Sequence, residues 1–160
     1  MTFKTTDLCD AFSNELQVIG SEFRSYGKIH SFFGPISTVK VFEDNVLVEE
    51  ALSSIPAGNV LVIDGGESQK CALLGDRLGE IGASRGLAGI IVNGCVRDTT
   101  DLATLEIGIL ALGSNPLKSK KQRVGERDIS LYFSGINWTP GDYVYVDEDG
   151  IVLASRNILE

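Results

Sequence analysis

The residues best suited to chemistry are Gly75-Asp76-Arg77-Leu78 and, after a short apolar run, Arg97-Asp98-Thr99-Thr100-Asp101. A glycine and an acid at a helix start present free backbone amides to an anion. Arg97 brings a planar, permanently charged fork that grips a carboxylate or polarises a carbonyl oxygen. Asp98 and Asp101 are hard oxygen donors, of the kind magnesium or manganese accepts with few protein ligands and several waters. Together they suit a small anionic substrate with a hard metal ion. The same residues also fit a structural role: a turn ion pair at Arg97-Asp98, with Asp98 and Asp101 as N-cap acids of a helix reaching Leu105. Spacing alone favours that plainer role, because Asp is common in turns and caps.

The elements that must position these residues are readable in outline. Ala88-Gly89-Ile90-Ile91-Val92 is continuously apolar and β-branched, which predicts a strand covered on both faces and ended by the turn signal Asn93-Gly94-Cys95. Arg97 and Asp98 then follow the carboxyl end of a buried strand, where α/β proteins build sites. Gly75-Asp76 opens a helix through about Arg85 that Gly86 stops, with Asp76 as N-cap or first-turn acid. Further helices are expected from a Thr5 or Thr6 cap to about Glu15 and from Glu43 to Ser54, and helical periodicity runs from Ser68 to Arg85 with a break near Gly75. Strands are expected at Ile36-Phe42, Val60-Asp64, Gly89-Asn93, Ile107-Leu112, Ile129-Phe133, Tyr143-Val146 and Ile151-Ala154. Asp147-Glu148-Asp149-Gly150 has the composition of a hairpin turn. A helix-rich first half and a hairpin-rich second half point to a layered α/β/β arrangement. A chain of 160 residues with 43% hydrophobic content suits a single domain spanning 1–160.

Several other chemistries find weak support. A Schiff-base enzyme needs a buried lysine, and Lys70 beside Ser68-Gln69 reads as solvated. Cys9, Cys71 and Cys95 have neither zinc-ligand spacing nor an even count, so they are expected reduced, with Cys95 a packing residue. His30, the single histidine, reads as structural or surface. The glycines at 75, 79, 82 and 86 match no nucleotide-binding loop and are expected to let a helix pack closely. Asp64-Gly65-Gly66 reads as a turn, although Asp64 could be a second acid, and Trp138 as a turn-packing residue. A formal charge of -8 opposes direct nucleic-acid binding and would attract a basic protein partner. The run Lys118-Ser119-Lys120-Lys121-Gln122-Arg123 is expected to be an exposed loop. No apolar leader precedes Asp7 and Asp10, and no stretch is long enough to span a bilayer, so a cytoplasmic protein without membrane attachment is expected.

Asp7-Leu8-Cys9-Asp10, Thr38-Val39-Lys40-Val41-Phe42-Glu43-Asp44-Asn45, Val60-Leu61-Val62-Ile63-Asp64-Gly65-Gly66, Gly75 to Leu78 and Gly94-Cys95-Val96-Arg97-Asp98 occur in a recognisable order and spacing. Over nearly its whole length the chain resembles the family of the regulator of ribonuclease E activity A and the class II 4-hydroxy-4-methyl-2-oxoglutarate aldolases. The resemblance implies a swivelling β/β/α fold, a ring-shaped homotrimer with sites between subunits, and a divalent-metal-dependent pyruvate aldolase. By that resemblance the amides of Gly75, Asp76, Arg77 and Leu78 bind the pyruvyl carboxylate and Arg97 contacts substrate oxygens. Asp98 then binds magnesium or manganese directly, and Asp101 does so through water. Retro-aldol chemistry also needs a base for the C4 hydroxyl, for which Asp76 or a water it orients is the candidate. Oxaloacetate decarboxylation, which passes through the same pyruvate enolate, is the expected side activity. The branch named for inhibiting ribonuclease E includes members without the acid after the arginine. Asp98 is present here, which favours catalysis and leaves ribonuclease E open as a protein partner.

Overall fold

The computed structural model describes residues 2–160. The first part of the chain forms α1 (Thr5–Phe12), the short strands β1 (Gln17–Ile19) and β2 (Arg24–Ser25), the long β3 (Phe32–Lys40), α2 (Val46–Leu52) and β4 (Val60–Asp64). The middle forms β5 (Ala72–Leu74), α3 (Asp76–Ser84), β6 (Gly89–Val96), α4 (Thr99–Leu102) and β7 (Gly108–Ser114). Short β8 (Glu126–Arg127), the hairpin β9 (Leu131–Phe133) and β10 (Ile136–Trp138), and the hairpin β11 (Tyr143–Asp147) and β12 (Gly150–Ala154) complete it.

The main sheet has the order β1-β12-β11-β3-β4-β6-β7-β2, with β5 added beside β6 and β8 beside β3. Within it β3, β4, β6 and β7 run parallel. Strand β3 belongs to two layers: Phe32–Pro35 pairs antiparallel with β11, and Ile36–Lys40 pairs parallel with β4. Alternation of side chains then builds two cores on opposite faces of the parallel strands. Leu61, Ile63, Ile90, Val92 and Ile109 face α2 and α3, with Leu52 and Leu78. Val60, Val62, Ile91 and Leu110 face the other way, against Val144, Val146, Ile151, Leu153 and Trp138. A third cluster places Leu8 of α1 on Tyr145, Val152 and Ala154, the outer face of the hairpin. The result is the β/β/α layering the sequence suggests, with α1 on the outer side.

Local details differ from the sequence expectations. Helix α1 begins at Thr5 after Lys4, and Thr5 does not cap it; the Thr5 N–H and hydroxyl instead donate to the two Asp147 carboxylate oxygens at 2.8 and 2.7 Å. The helix expected over 43–54 is shorter, because Asp44 accepts the Val46 N–H in a turn before α2. Ser68–Leu74, expected to be helical, is a loop and then β5, where Ala72 and Leu74 pair with Cys95 and Val96. Asn93-Gly94-Cys95 is no turn: β6 runs on to Val96, with an irregular register against β7 between Val92 and Cys95. Trp138 is a strand residue, fully buried and stacked on Phe133 at 4.6 Å. The turn from Asp147 to Gly150 is as expected. Among the described residues, no helix is long and apolar enough to cross a membrane.

Candidate active site

At the carboxyl ends of the parallel strands, a cavity of about 130 Å³ is lined by Gly75, Asp76, Arg77, Leu78, Arg97 and Asp98 together with Asn45, Lys118, Ser119 and Lys121. Six of the seven residues singled out by their chemistry therefore meet in one place. Gly75 is the N-cap of α3 and bridges β5 to the helix. Arg97 follows β6 directly, and its N–H donates to the Leu74 carbonyl at 2.9 Å, which ties the two strand ends together.

Asp98 begins α4 in the left-handed region, at φ 58° and ψ 45°, a conformation that an Asp tolerates at modest cost. Its carboxylate does not cap its own helix. Oδ2 instead accepts the N–H of Asp76 at 2.9 Å, so it sits at the positive start of α3. The hydrogen bond from the Asp76 backbone, aided by the nearby Arg97 charge, holds the Asp98 carboxyl below the usual carboxylate range despite some desolvation. Gly75 is required for this approach: a Cβ there would stand 2.6 Å from Asp98 Oδ2 and 3.3 Å from Arg97 Cγ. The expected Arg97-Asp98 ion pair is absent among the described residues, and an Arg97 Nη1 donates to the Pro116 carbonyl at 3.4 Å.

Two first-turn amides of α3 are already engaged by carboxylates, since the Arg77 N–H donates to Asp76 Oδ1 at 2.8 Å. The Arg77 guanidinium points to Glu49 of α2 at 2.7 Å. Asp101 lies outside the cavity, exposed on a neighbouring hollow with Asp76, Glu80 and Thr104. The glycines of α3 do pack closely, as a Cβ at Gly79 would meet Leu102 and Leu105 at 2.9 Å.

Sequence reasoning missed Asn45, Lys118, Ser119 and Lys121. The segment 118–123 is the exposed loop expected, with Ser119 as its buried residue, and its backbone is anchored: the Lys120 N–H donates to Glu43 O at 2.8 Å, the Ala72 N–H to Leu117 O at 2.8 Å, and the Gln122 N–H to Asp44 Oδ2 at 2.7 Å. The available signals were a cationic run in an acidic chain and, for Asn45, only its place at the end of the family-like run from Thr38. Of the remaining candidates, Lys70 and His30 are exposed. Asp64 serves a turn, accepting from the Gly66 N–H and the Asn93 amide. Burial pushes the Cys95 thiol up, away from nucleophile character.

Among the described residues, no group of three His, Cys, Asp or Glu side chains converges as a metal cage. The donor chemistry still fits magnesium or manganese, which bind through one or two carboxylates with water and substrate oxygens. Asp98 supplies an ionised carboxylate held in place by one oxygen.

These features define a layered α/β domain with a cleft, lined by cationic and acidic side chains, where β5 and β6 end. The RraA-like family pattern, described as Aldolase/RraA, matches residues 5–153, and the chain belongs to that family. It is 57% identical over 156 residues, 98% of both chains, to a Bacillus cereus protein named "Putative 4-hydroxy-4-methyl-2-oxoglutarate aldolase". A protein of Alkalilimnicola ehrlichii with the same name is 51% identical over 160 residues, covering 100% of this chain and 99% of that one. The solved structure of an RNA-processing inhibitor RraA from Thermus thermophilis superposes with a TM-score of 0.94 at 41% identity, covering 98% of this chain and 94% of that one. A Geobacillus kaustophilus structure described as an S-adenosylmethionine:2-dimethylmenaquinone methyltransferase gives 0.97 at 54% identity, with 98% of each chain covered.

Proposed function

We propose that this protein is a divalent-metal-dependent aldolase that cleaves 4-hydroxy-4-methyl-2-oxoglutarate to two molecules of pyruvate, with oxaloacetate decarboxylation as a secondary activity. The observation that carries this reading is the Asp98 carboxylate, ionised and fixed at the start of α3 beside Arg97 within one cavity. The aldolase names borne by relatives such as those of Bacillus cereus and Alkalilimnicola ehrlichii support it.

In this reading the substrate's C1 carboxylate and 2-oxo oxygen lie toward Arg97 and the first turn of α3. Asp76, or a water it holds, removes the C4 hydroxyl proton; the C3–C4 bond breaks, and its electron pair passes into the enolate of the first pyruvate. The second pyruvate leaves from C4, and protonation at C3 completes the first. Asp98, with Asp101 of the adjoining hollow acting through water, would hold a magnesium or manganese ion, which would supply Lewis acidity where charge collects on the 2-oxo oxygen. Arg97 adds a fixed positive charge at the same oxygens.

The test is pyruvate release from 4-hydroxy-4-methyl-2-oxoglutarate and from oxaloacetate, with magnesium, with chelator, and with Asp98→Ala. Turnover that needs metal and falls at least ~100-fold in the variant is expected. No turnover by folded, magnesium-supplied protein would sink the proposal.

A second reading, a protein-binding regulator of ribonuclease E, has the Thermus RraA structure in its favour. The charge of -8 suits a basic partner. Such binding should survive Asp98→Ala and weaken with salt.

A further inference from the structure

We propose that Lys118, Ser119 and Lys121, with Asn45, form the half of the cavity that takes the second carboxylate of a dicarboxylic 2-oxo acid. They would thereby set the preference for dicarboxylates over monocarboxylates. The substrate class rests on the lyase reading above, but the subsite stands on different residues.

The first argument is charge. Arg97, Lys118 and Lys121 line one small cavity of a chain whose formal charge is -8. Arg77 lines it too, but is committed to Glu49. Asp98 and Asp76 lie at the α3 end, where metal and proton transfer are assigned. Among the described residues, neither Lys118 nor Lys121 has a carboxylate within salt-bridge distance. Lys121 Nζ donates to Asn45 Oδ1 at 2.8 Å, which holds the ammonium at the cavity wall. A substrate with one carboxylate uses Arg97 and the helix start and leaves these two cations without a direct carboxylate partner, Lys121 feeling only the more distant charge of Glu49. A second carboxylate, drawn from water into the same cavity, needs such partners.

The second argument is an unsatisfied group. Ser119 is 7% exposed and lines the cavity, and its Oγ has no hydrogen-bond partner. Burying a hydroxyl unpaired is costly, and a ligand oxygen at this wall would relieve that cost. The third is preorganisation. The Asn45 N–H donates to Lys120 O at 3.3 Å, and the Lys120 N–H donates to Glu43 O at 2.8 Å. These bonds fix the segment against the turn before α2, so little ordering remains for a ligand to bring about.

The test uses a matched pair of unreactive ligands, 2-oxoglutarate and 2-oxopentanoate, which differ only in a terminal carboxylate or methyl. Calorimetry on wild type, Lys118→Met, Lys121→Met and Ser119→Ala, with and without magnesium, reads the affinity ratio. Wild type is expected to favour 2-oxoglutarate about tenfold or more, and each lysine variant to remove most of that preference. Ser119→Ala should weaken 2-oxoglutarate by up to roughly tenfold while its melting temperature holds or rises, because it removes an unpaired buried hydroxyl. No preference in wild type, no binding of either ligand, or equal weakening of both by the lysine variants would overturn the subsite. Pyruvate release by the same preparations separates the two ideas. A preference without turnover sinks only the lyase; turnover without a preference sinks only the subsite.

Discussion

The Asp98 carboxylate accepts the backbone N–H of Asp76 at 2.9 Å, and Gly75 alone leaves room for it, since a Cβ there would stand 2.6 Å from the accepting oxygen. Gly75 has φ -129°, which alanine adopts freely, so a substitution there acts on the carboxylate and not on the turn. Gly75→Ala should keep the fold within about 1 kcal/mol and reduce pyruvate release ~100-fold by displacing Asp98. Thermal melts beside steady-state kinetics check it; an unimpaired variant would break the link between this contact and catalysis.

Asp76 is assigned the proton of the C4 hydroxyl. Asp76→Asn retains an oxygen to accept the Arg77 N–H and should fold normally, with kcat for aldol cleavage lowered by about 10² to 10⁴ and little change in KM. Oxaloacetate decarboxylation has no hydroxyl proton to remove at C4, so it should fall far less. Equal losses in both reactions would remove Asp76 from the base role.

Asp147 ties α1 to the last hairpin through the Thr5 N–H and hydroxyl. Burial alone would raise its carboxyl, but the hydrogen bonds from Thr5, Asp149 and Gly150 outweigh that and lower it. A group lowered in the folded state stabilises above its unfolded pKa of roughly 3.9, and the benefit is lost as pH falls through the folded value. Asp147→Ala should cost about 1–3 kcal/mol at pH 7, and the gap from wild type should narrow below about pH 4. Urea midpoints at pH 7, 5 and 3.5 measure this, and a gap that widens in acid would contradict it.

Trp138 is fully buried and stacks on Phe133, with its indole N–H donating to the Phe133 carbonyl at 3.3 Å. Trp138→Ala should destabilise by about 3–5 kcal/mol. The hairpin it anchors lies on the face away from α3, so residual folded protein should keep its metal dependence. Denaturant unfolding followed by activity in the surviving native fraction tests both halves.

Much of the fold was legible because its signals are local. Continuous β-branched runs marked β4 and the start of β6, and Asp147-Glu148-Asp149-Gly150 marked the β11–β12 turn. Asn93-Gly94 misled because a turn composition inside β6 is overridden by ladders on both sides. Ser68–Leu74 misled because helical periodicity cannot distinguish a short strand that exists only by pairing with β6. Trp138 misled because its polar neighbours suggested a turn, whereas the space beneath the second layer set its burial.

The sequence by itself determined the chemical types at the cleft: a glycine, two acids and two arginines at the ends of apolar segments, together with the family they resemble. Only the tertiary structure decided that the Asp98 carboxylate serves the start of α3 and not its own helix, that Asp101 stands outside the cavity, and that Lys118, Ser119 and Lys121 stand inside it. The reason is physical. Residue type and short-range spacing set what a side chain can do, whereas which backbone amide, cation or hydroxyl meets it depends on how distant segments pair and pack, and that is a property of the whole chain.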